Sequence, residues 1–339
     1  MVSRNIVFTE PKVAKLLSED VAPLGAGDVL VKLAVSSISS GTERANLVGD
    51  PRVTIDTAPD ATEAVFPRRV GYSSAGVVVQ VGKDVTTVNV GDRVAVGGGK
   101  HQEYVAVEEK RVHPIGDVSF QDAALFYIST FPLAAIRKCR LEIGESAVVM
   151  GMGVLGLIAV KLLKAAGAAP VIAVDPIAEK RQKALQSGAD YALDPLSPDF
   201  AKTVKDLTDG GANVGIEVTG ITAGLDGVLD CVARFGRVAL LGCTRHSDLN
   251  IDYYGKVHGP GVTLVGAHTV ARPQHESSAG WWTEADDMKA MKRLVASGRL
   301  SLAELVDEIH SPEEAEDVFG RLAVEKAFPV VQFNWGMLK

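Results

Sequence analysis

The chain has 339 residues, of which 47% are hydrophobic and 23% charged, and its formal net charge is -7. Such a length suffices for two domains at about 150 residues each, and such a composition belongs to a globular protein with a sizeable core, not a disordered one. The negative charge is spread along the chain, with no basic patch interleaved with aromatics, so nucleic acid is not an expected partner.

The opening residues lack an apolar core of signal-peptide length and read as a first strand. The longest apolar run, 147–160, carries three glycines and stops at Lys161, which suits a buried strand, turn and helix better than a membrane span. Cys139, Cys231 and Cys243 are odd in number and widely spaced, without a Cys-x-x-Cys pair. A reducing, cytoplasmic setting is the expectation.

Residues 1–120 contain short β-branched runs at 29–35, 76–81, 93–96 and 104–107, separated by glycine turns, a pattern that predicts a β-rich, barrel-like unit. Over 121–272 strands at 147–150, 171–174, 191–193, 214–218, 237–241 and 262–265 alternate with helical stretches such as 178–187 and 223–232. This alternation predicts an α/β domain with a doubly wound parallel sheet. The segment 273–339 reads as a helix at 284–296, a strand at 305–309, a helix opened by a capping box of Ser311, Pro312 and Glu314, and a strand at 329–333. It is expected to fold back onto the first domain.

Within the α/β region, Gly151, Gly153 and Gly156 have the spacing Gly-x-Gly-x-x-Gly between a strand and a helix, with Val154 and Leu155 opening the helix. The first glycine permits a tight turn, the second lets a pyrophosphate approach the backbone, and the third lets helix and strand lie close. The helix N-terminus then faces the anion. Asp175 closes the next strand, where a carboxylate accepts hydrogen bonds from the adenosine ribose and repels a 2′-phosphate. NAD is therefore expected, NADP less so; Arg181, nearby, is the residue that would meet a phosphate. The ordinary reading of Asp175 is a helix cap.

The stretches 24–32 (LGAGDVLVK), 71–82 (GYSSAGVVVQVG), 90–94 (VGDRV) and 236–242 (GRVALLG), in this order around the glycine turn, resemble the medium-chain dehydrogenase/reductase superfamily of zinc alcohol dehydrogenases and their relatives. The resemblance spans the whole chain and implies a GroES-like catalytic domain at 1–120, a Rossmann NAD-binding domain at 121–272 and a returning tail. Ser40, Gly41, Thr42 and Glu43, with Gly71, Tyr72 and the stretch 280–283, look like the branch that includes bacteriochlorophyllide dehydrogenases.

Departures from that pattern matter more. Zinc members carry a cysteine where this chain has Ser40, a histidine where it has Tyr72, and a further ligand near Phe126; the four-cysteine structural lobe is missing between Gly97 and Tyr104. Serine, tyrosine and phenylalanine do not make a catalytic zinc site. No metal is expected, the alternative being a rearranged site on His101 and Glu43.

Side chains must then stabilise charge and carry the proton. The resemblance puts Thr42 where alcohol dehydrogenases relay the substrate proton, with Ser40 beside it, Tyr72 where the ligand histidine stands, and His101 and Lys100 at the end of the glycine-rich loop. Each also has a structural reading: Thr42 as a cap, Tyr72 as core, His101 as a loop residue, and Glu43 as a loop anchor. Thr130 beside Ser129, then Thr219, Gly242 and Gly266 fall where the cofactor is contacted, with His268 in reserve. Cys243 reads as a small apolar filler. Trp281 and Trp282 follow a polar loop, either as part of a substrate cover or as packing. Expected is a zinc-free, NAD-dependent oxidoreductase acting on a small-molecule secondary alcohol, of the sugar, polyol or cyclitol kind. Reduction of a quinone or enone double bond and a catalytically silent NAD-binding protein are the alternatives. A homodimer or homotetramer is expected by family likeness.

Overall fold

The computed structural model describes residues 1–54, 56–58, 60–245 and 247–339, and they fall into two compact units, Met1–Ile128 with Met288–Lys339, and Ser129–Asp287. In the first unit β1 (Val2–Glu10) and β2 (Val13–Asp20) make an antiparallel hairpin, followed by β3 (Asp28–Ser37), α1 (Ser40–Val48), β4 (Arg68–Arg69), β5 (Ser73–Val81), β6 (Arg93–Gly97), β7 (Tyr104–Glu108), β8 (Val112–Pro114) and α2 (Phe120–Ala123). α3 (Phe126–Lys138) leads into the second unit.

The second unit holds β9 (Ala147–Met150), α4 (Val154–Ala166), β10 (Val171–Val174), α5 (Ala178–Gln186), β11 (Tyr191–Leu193), α6 (Phe200–Leu207), β12 (Ala212–Glu217), α7 (Thr222–Cys231), β13 (Val232–Leu240) and β14 (Thr263–Gly266). After α8 (Glu284–Ala296) the chain returns to the first unit as β15 (Glu308–His310), α9 (Ala315–Val324) and β16 (Val331–Asn334). The second unit runs past residue 272 because α3 holds the segment that follows. Arg137 Nε bonds Asp287 Oδ1 at 3.0 Å and its guanidinium lies 3.6 Å over the Trp282 ring, while Lys138 Nζ lies 4.9 Å over Trp281. The two tryptophans are packed on cations, a favourable use of the ring quadrupole.

In the first unit the seven-stranded sheet runs β15-β16-β3-β5-β6-β8, with β7 also on β3. The long β3 pairs β5 along one edge, with two register shifts, and β7 and then β16 along the other; a Cβ on Gly76 of β5 would stand 2.1 Å from the Lys32 carbonyl. Phe8 and Phe319 meet edge to face at 4.8 Å in the core beneath. The tail's strand is shorter than 305–309, since residues 303–305 close a single 3-10 turn first. The capping box is present at Ser311, and opens a 3-10 turn that runs on into α9.

The second unit is the α/β part, a six-stranded, all-parallel sheet of order β11-β10-β9-β12-β13-β14. β9 and β10 are buried at every residue, as central parallel strands covered on both faces must be. The order reverses between β9 and β12. Ligands of such sheets bind at the carboxyl ends of the strands beside that reversal. Among the described residues no helix is long and apolar enough to cross a membrane.

Candidate active site

In the second unit the turn after β9 has the form the three glycines imply. Gly151 takes φ 101°, in the left-handed region open to glycine. A Cβ on Gly156 would lie 1.9 Å from the Gly151 carbonyl, whereas one on Gly153 would meet nothing within 4 Å. The third glycine thus permits contact and the second leaves room. Gly153 caps α4 without a side-chain bond, so the helix's first amides remain available to an anion. Val154 is buried and Leu155 partly so.

Asp175 follows β10 and is buried. Its carboxylate accepts from Met152 N and Ile177 N, each at 2.9 Å, so it ties the glycine turn to the neighbouring strand and closes a local turn; it does not cap α5, whose N-cap is Ile177. Carboxylate oxygens have further lone pairs for a ribose. Arg181 is engaged locally, with Nη1 2.8 Å from the Asp175 carbonyl and 3.2 Å from Asp194 Oδ2.

The other proposed cofactor residues cluster on neighbouring strand ends. Thr219 is exposed just after β12, and its methyl stands 2.8 Å from where Gly151 would carry a Cβ. Gly242, after β13, approaches the same turn so closely that a Cβ would come within 2.2 Å of Gly220 N. Gly266 ends β14 with open space around its Cα, and its carbonyl accepts from Lys138 Nζ at 3.1 Å. Thr130 is fully buried on α3 and its Oγ1 lies 3.3 Å from Arg272 Nη1. His268 is held below the usual imidazole range by burial and by the Lys138 charge. Cys243 is exposed, so it is not the core filler the sequence suggested. Sequence reading passed over Glu217, the buried last residue of β12.

In the first unit the proton-transfer candidates sort differently. Tyr72 donates its phenol proton to Ser39 Oγ in a short hydrogen bond, and its oxygen is engaged by Thr42 as well. Burial pushes the phenol well above its ordinary range, against the pull of those two hydroxyls and with help from the Glu43 charge, so Tyr72 stays a donor. The ring packs edge to face on Tyr127 at 5.9 Å. Tyr127 in turn occupies the space a Cβ on Gly97 would need, at 2.4 Å. Ser40 is the first residue of α1, partly exposed; the hydroxyl that meets Tyr72 belongs to its neighbour Ser39, a correction of one position.

His101 is also corrected. Its exposure is 0%, its ring packs between Phe319 and Phe333 at 6.2 and 5.6 Å, and both ring nitrogens are taken. The Trp335 indole can only donate, and does so to Ser36 Oγ at 3.0 Å. The Ser36 proton is then available to His101 Nδ1 at 2.8 Å, which leaves His101 Nε2–H to donate to Glu43 Oε2 at 3.0 Å. Glu43, 1% exposed, accepts with its other oxygen from Ser39 N at 2.9 Å. A buried carboxylate needs such partners. His101 is therefore removed from the list of reacting groups and becomes part of the frame under Ser39. Lys100, beside it, is exposed.

Comparison with known proteins agrees with both halves. Residues 25–117 match the alcohol dehydrogenase GroES-like domain family and residues 154–281 the zinc-binding dehydrogenase family. D-guloside 3-dehydrogenase of Escherichia coli (strain K12) is 27% identical over 333 residues, covering 91% of this chain and 94% of that protein. (R,R)-Butanediol dehydrogenase of Bacillus subtilis (strain 168) is 31% identical over 222 residues, 58% of this chain and 64% of that one. The crystal structure of 2R,3R-butanediol dehydrogenase from Bacillus subtilis shares the fold with a TM-score of 0.81 at 24% identity, over 98% of this chain and 99% of that one.

The chain belongs to the medium-chain, zinc-type alcohol dehydrogenase superfamily. It is an NAD(P)-dependent dehydrogenase of that type. The glycine turn, the free start of α4 and Asp175 fit the dinucleotide, which supplies the hydride acceptor or donor when bound.

The zinc of the family's name fits less well. Ser39, Ser40, Tyr72 and the fully buried Phe126 offer no thiolate, imidazole or carboxylate, and the Tyr72 phenol is held protonated. Among the described residues no group of three or more His, Cys, Asp or Glu side chains is placed to hold a metal ion. The Glu43 carboxylate and the His101 imidazole are hydrogen-bonded to each other.

Proposed function

We propose that this dehydrogenase interconverts a secondary alcohol and its ketone with NAD, without a metal, and that Tyr72 handles the substrate oxygen's proton. The observation that carries the reading is the Ser39–Tyr72–Thr42 hydroxyl group; the resemblance to zinc members, whose ligand positions Ser40 and Tyr72 occupy in sequence, supports a reacting role for it. With bound NAD supplying the hydride acceptor, the substrate hydroxyl proton would pass along the Tyr72, Ser39 and Thr42 hydroxyls to solvent in oxidation, and the Tyr72 phenol would donate to the forming alkoxide in reduction. A phenol kept protonated by burial suits the second direction, its proton turning from Ser39 Oγ to the developing oxyanion. Preference for NAD is supported by Asp175, whose carboxylate would repel a 2′-phosphate. A polyhydroxylated substrate is supported by the relatives' names, a guloside oxidised at position 3 and a butanediol. Self-association belongs to the same reading: β14 is the last strand of its sheet, and a second copy pairing there would cover it.

The test is NADH formation by chelator-treated protein over a panel of methyl glycosides, cyclitols and 2,3-butanediol. Turnover unchanged by the chelator is expected. Turnover lost to the chelator and restored by zinc, or confined to enones, would overturn the reading.

A further inference from the structure

Between β6 and β7 the glycine-rich loop departs from regular pairing. Gly98 N bonds the Tyr72 carbonyl and His101 N the Val70 carbonyl, each at 2.8 Å. Two residues, Gly99 and Lys100, therefore stand against one, Gly71, as in a β-bulge. Bulges turn side chains in new directions and recur beside active sites. Gly71 takes φ 94°, and a Cβ there would lie 2.7 Å from His101 N, so the facing segment fits against the bulge by carrying no side chain. Gly99 is buried, with Val105 and Val96 where its Cβ would point, while Lys100 is turned out to solvent.

Lys100 has no use in the frame under Ser39. Its ammonium makes no hydrogen bond or ion pair with a described residue. The Glu43 charge reaches it, but both Glu43 oxygens are taken, one by Ser39 N and one by His101. Nor does it activate the phenol, since the ionisable groups that act on Tyr72 are Glu43 and Tyr127, and both favour the protonated form. The side chain is open to water on one side, yet the protein around it lowers the ammonium by desolvation, against the pull of Glu43. Two other lysines show what is missing. Lys256, which burial would also lower, is raised by the Asp226 and Asp230 carboxylates it bonds. Lys138 is lowered by burial, but gives its protons to the Gly266 and Ala271 carbonyls. A partly desolvated ammonium with no partner favours any anion that reaches it.

We propose that Lys100 binds an anionic substituent of the substrate, a carboxylate or a phosphate ester, while Tyr72 serves its carbinol oxygen, so that the substrate is a hydroxylated acid or phosphate and not a neutral polyol. The inference rests on the reading of Tyr72 given above. Tyr72 and the bulge are carried by hydrogen-bonded backbone segments, about 4.8 Å apart as neighbouring strands are, and Glu43 acts on both the phenol and the ammonium. One small molecule can therefore touch both. A lysine suits the task because its ammonium is a mobile point charge with three donors, able to meet anionic oxygens without a fixed fork geometry.

The experiment compares kcat/KM of the full-length protein for a methyl hexoside, the matching methyl hexosiduronate and the matching 6-phosphate. One of the two anions should be preferred over the neutral sugar by about tenfold or more, the worth of one charge-assisted hydrogen bond, and chiefly through KM. Preference for the uronate assigns a carboxylate, preference for the phosphate ester a phosphate. Lys100→Met should bring the ratio of anion to neutral sugar to within about twofold of one, and Lys100→Arg should keep it. Where none of the three is turned over, the same ratios are read from dissociation constants, by quenching of NADH bound to the protein. No preference for either anion in the wild type, or a preference that survives Lys100→Met, would overturn the proposal. Full turnover by Tyr72→Phe would instead sink the proton-transfer reading, and the Lys100 ratios would still decide the anion site.

Discussion

In the second unit the cofactor turn is made of backbone. Three glycines set its path, and what binds is the row of amides at the start of α4. The first unit's site is made of side chains, and the Ser39 and Tyr72 hydroxyls stay where they are only because Glu43, His101, Ser36 and Trp335 hold the floor beneath them. A backbone site tolerates exchange of most neighbouring side chains and fails when a glycine gains a Cβ. A side-chain site fails when its buried support is cut. The two units should thus be broken by different kinds of substitution.

The largest effect is expected from His101→Ala. It leaves the Glu43 carboxylate buried with Ser39 N as its remaining donor, about 1–3 kcal/mol or more for a charged acceptor, and opens a cavity between Phe319 and Phe333 that adds about 2 kcal/mol or more. Urea unfolding of the variant should show that loss, while NADH affinity of the folded protein stays near wild type. An equal loss of NADH binding would mean that the two sites are not separately supported.

Gly156→Ala is the converse, and smaller in stability. A Cβ at 1.9 Å from the Gly151 carbonyl has no flexible neighbour to move, so α4 must shift. Overpacking of this kind costs about 1–3 kcal/mol. NADH binding should fall below detection by fluorescence titration, since the amides no longer converge on the diphosphate. Retained binding would show that the close approach of helix and strand is not what shapes the turn.

The same contrast explains what was legible in the sequence. Gly151, Gly153 and Gly156 announce their function by spacing, because a backbone constraint can be met by one residue type only. The parallel strands were visible as apolar runs for a similar reason: buried on both faces, they leave no polar positions to confuse the period. In the first unit Tyr72 and Thr42 were found through their place in the family pattern. The reacting hydroxyl was put at Ser40 in place of Ser39, since two adjacent serines differ only in which side of the α1 N-terminus they occupy. His101 looked reactive because a histidine in a glycine-rich loop suggests exposure. Its burial depends on Phe319, Phe333 and Trp335, more than two hundred residues away in sequence, and no local pattern reports such a contact. Glu217 was missed because a carboxylate closing a buried strand gives no sign that it folds back onto its own turn.

The central claim is that a phenol handles the proton where the superfamily uses a metal. The most direct measurement compares kcat of Tyr72→Phe and wild type on the best panel substrate, alongside the dissociation constant for NADH. Loss of a general acid or base costs about 10²–10⁴-fold. The expected result is a fall in kcat of at least about 10²-fold with NADH affinity unchanged and stability lowered by no more than the about 1–3 kcal/mol of a lost buried hydrogen bond. A Tyr72→Phe enzyme that turns over at the wild-type rate would contradict it.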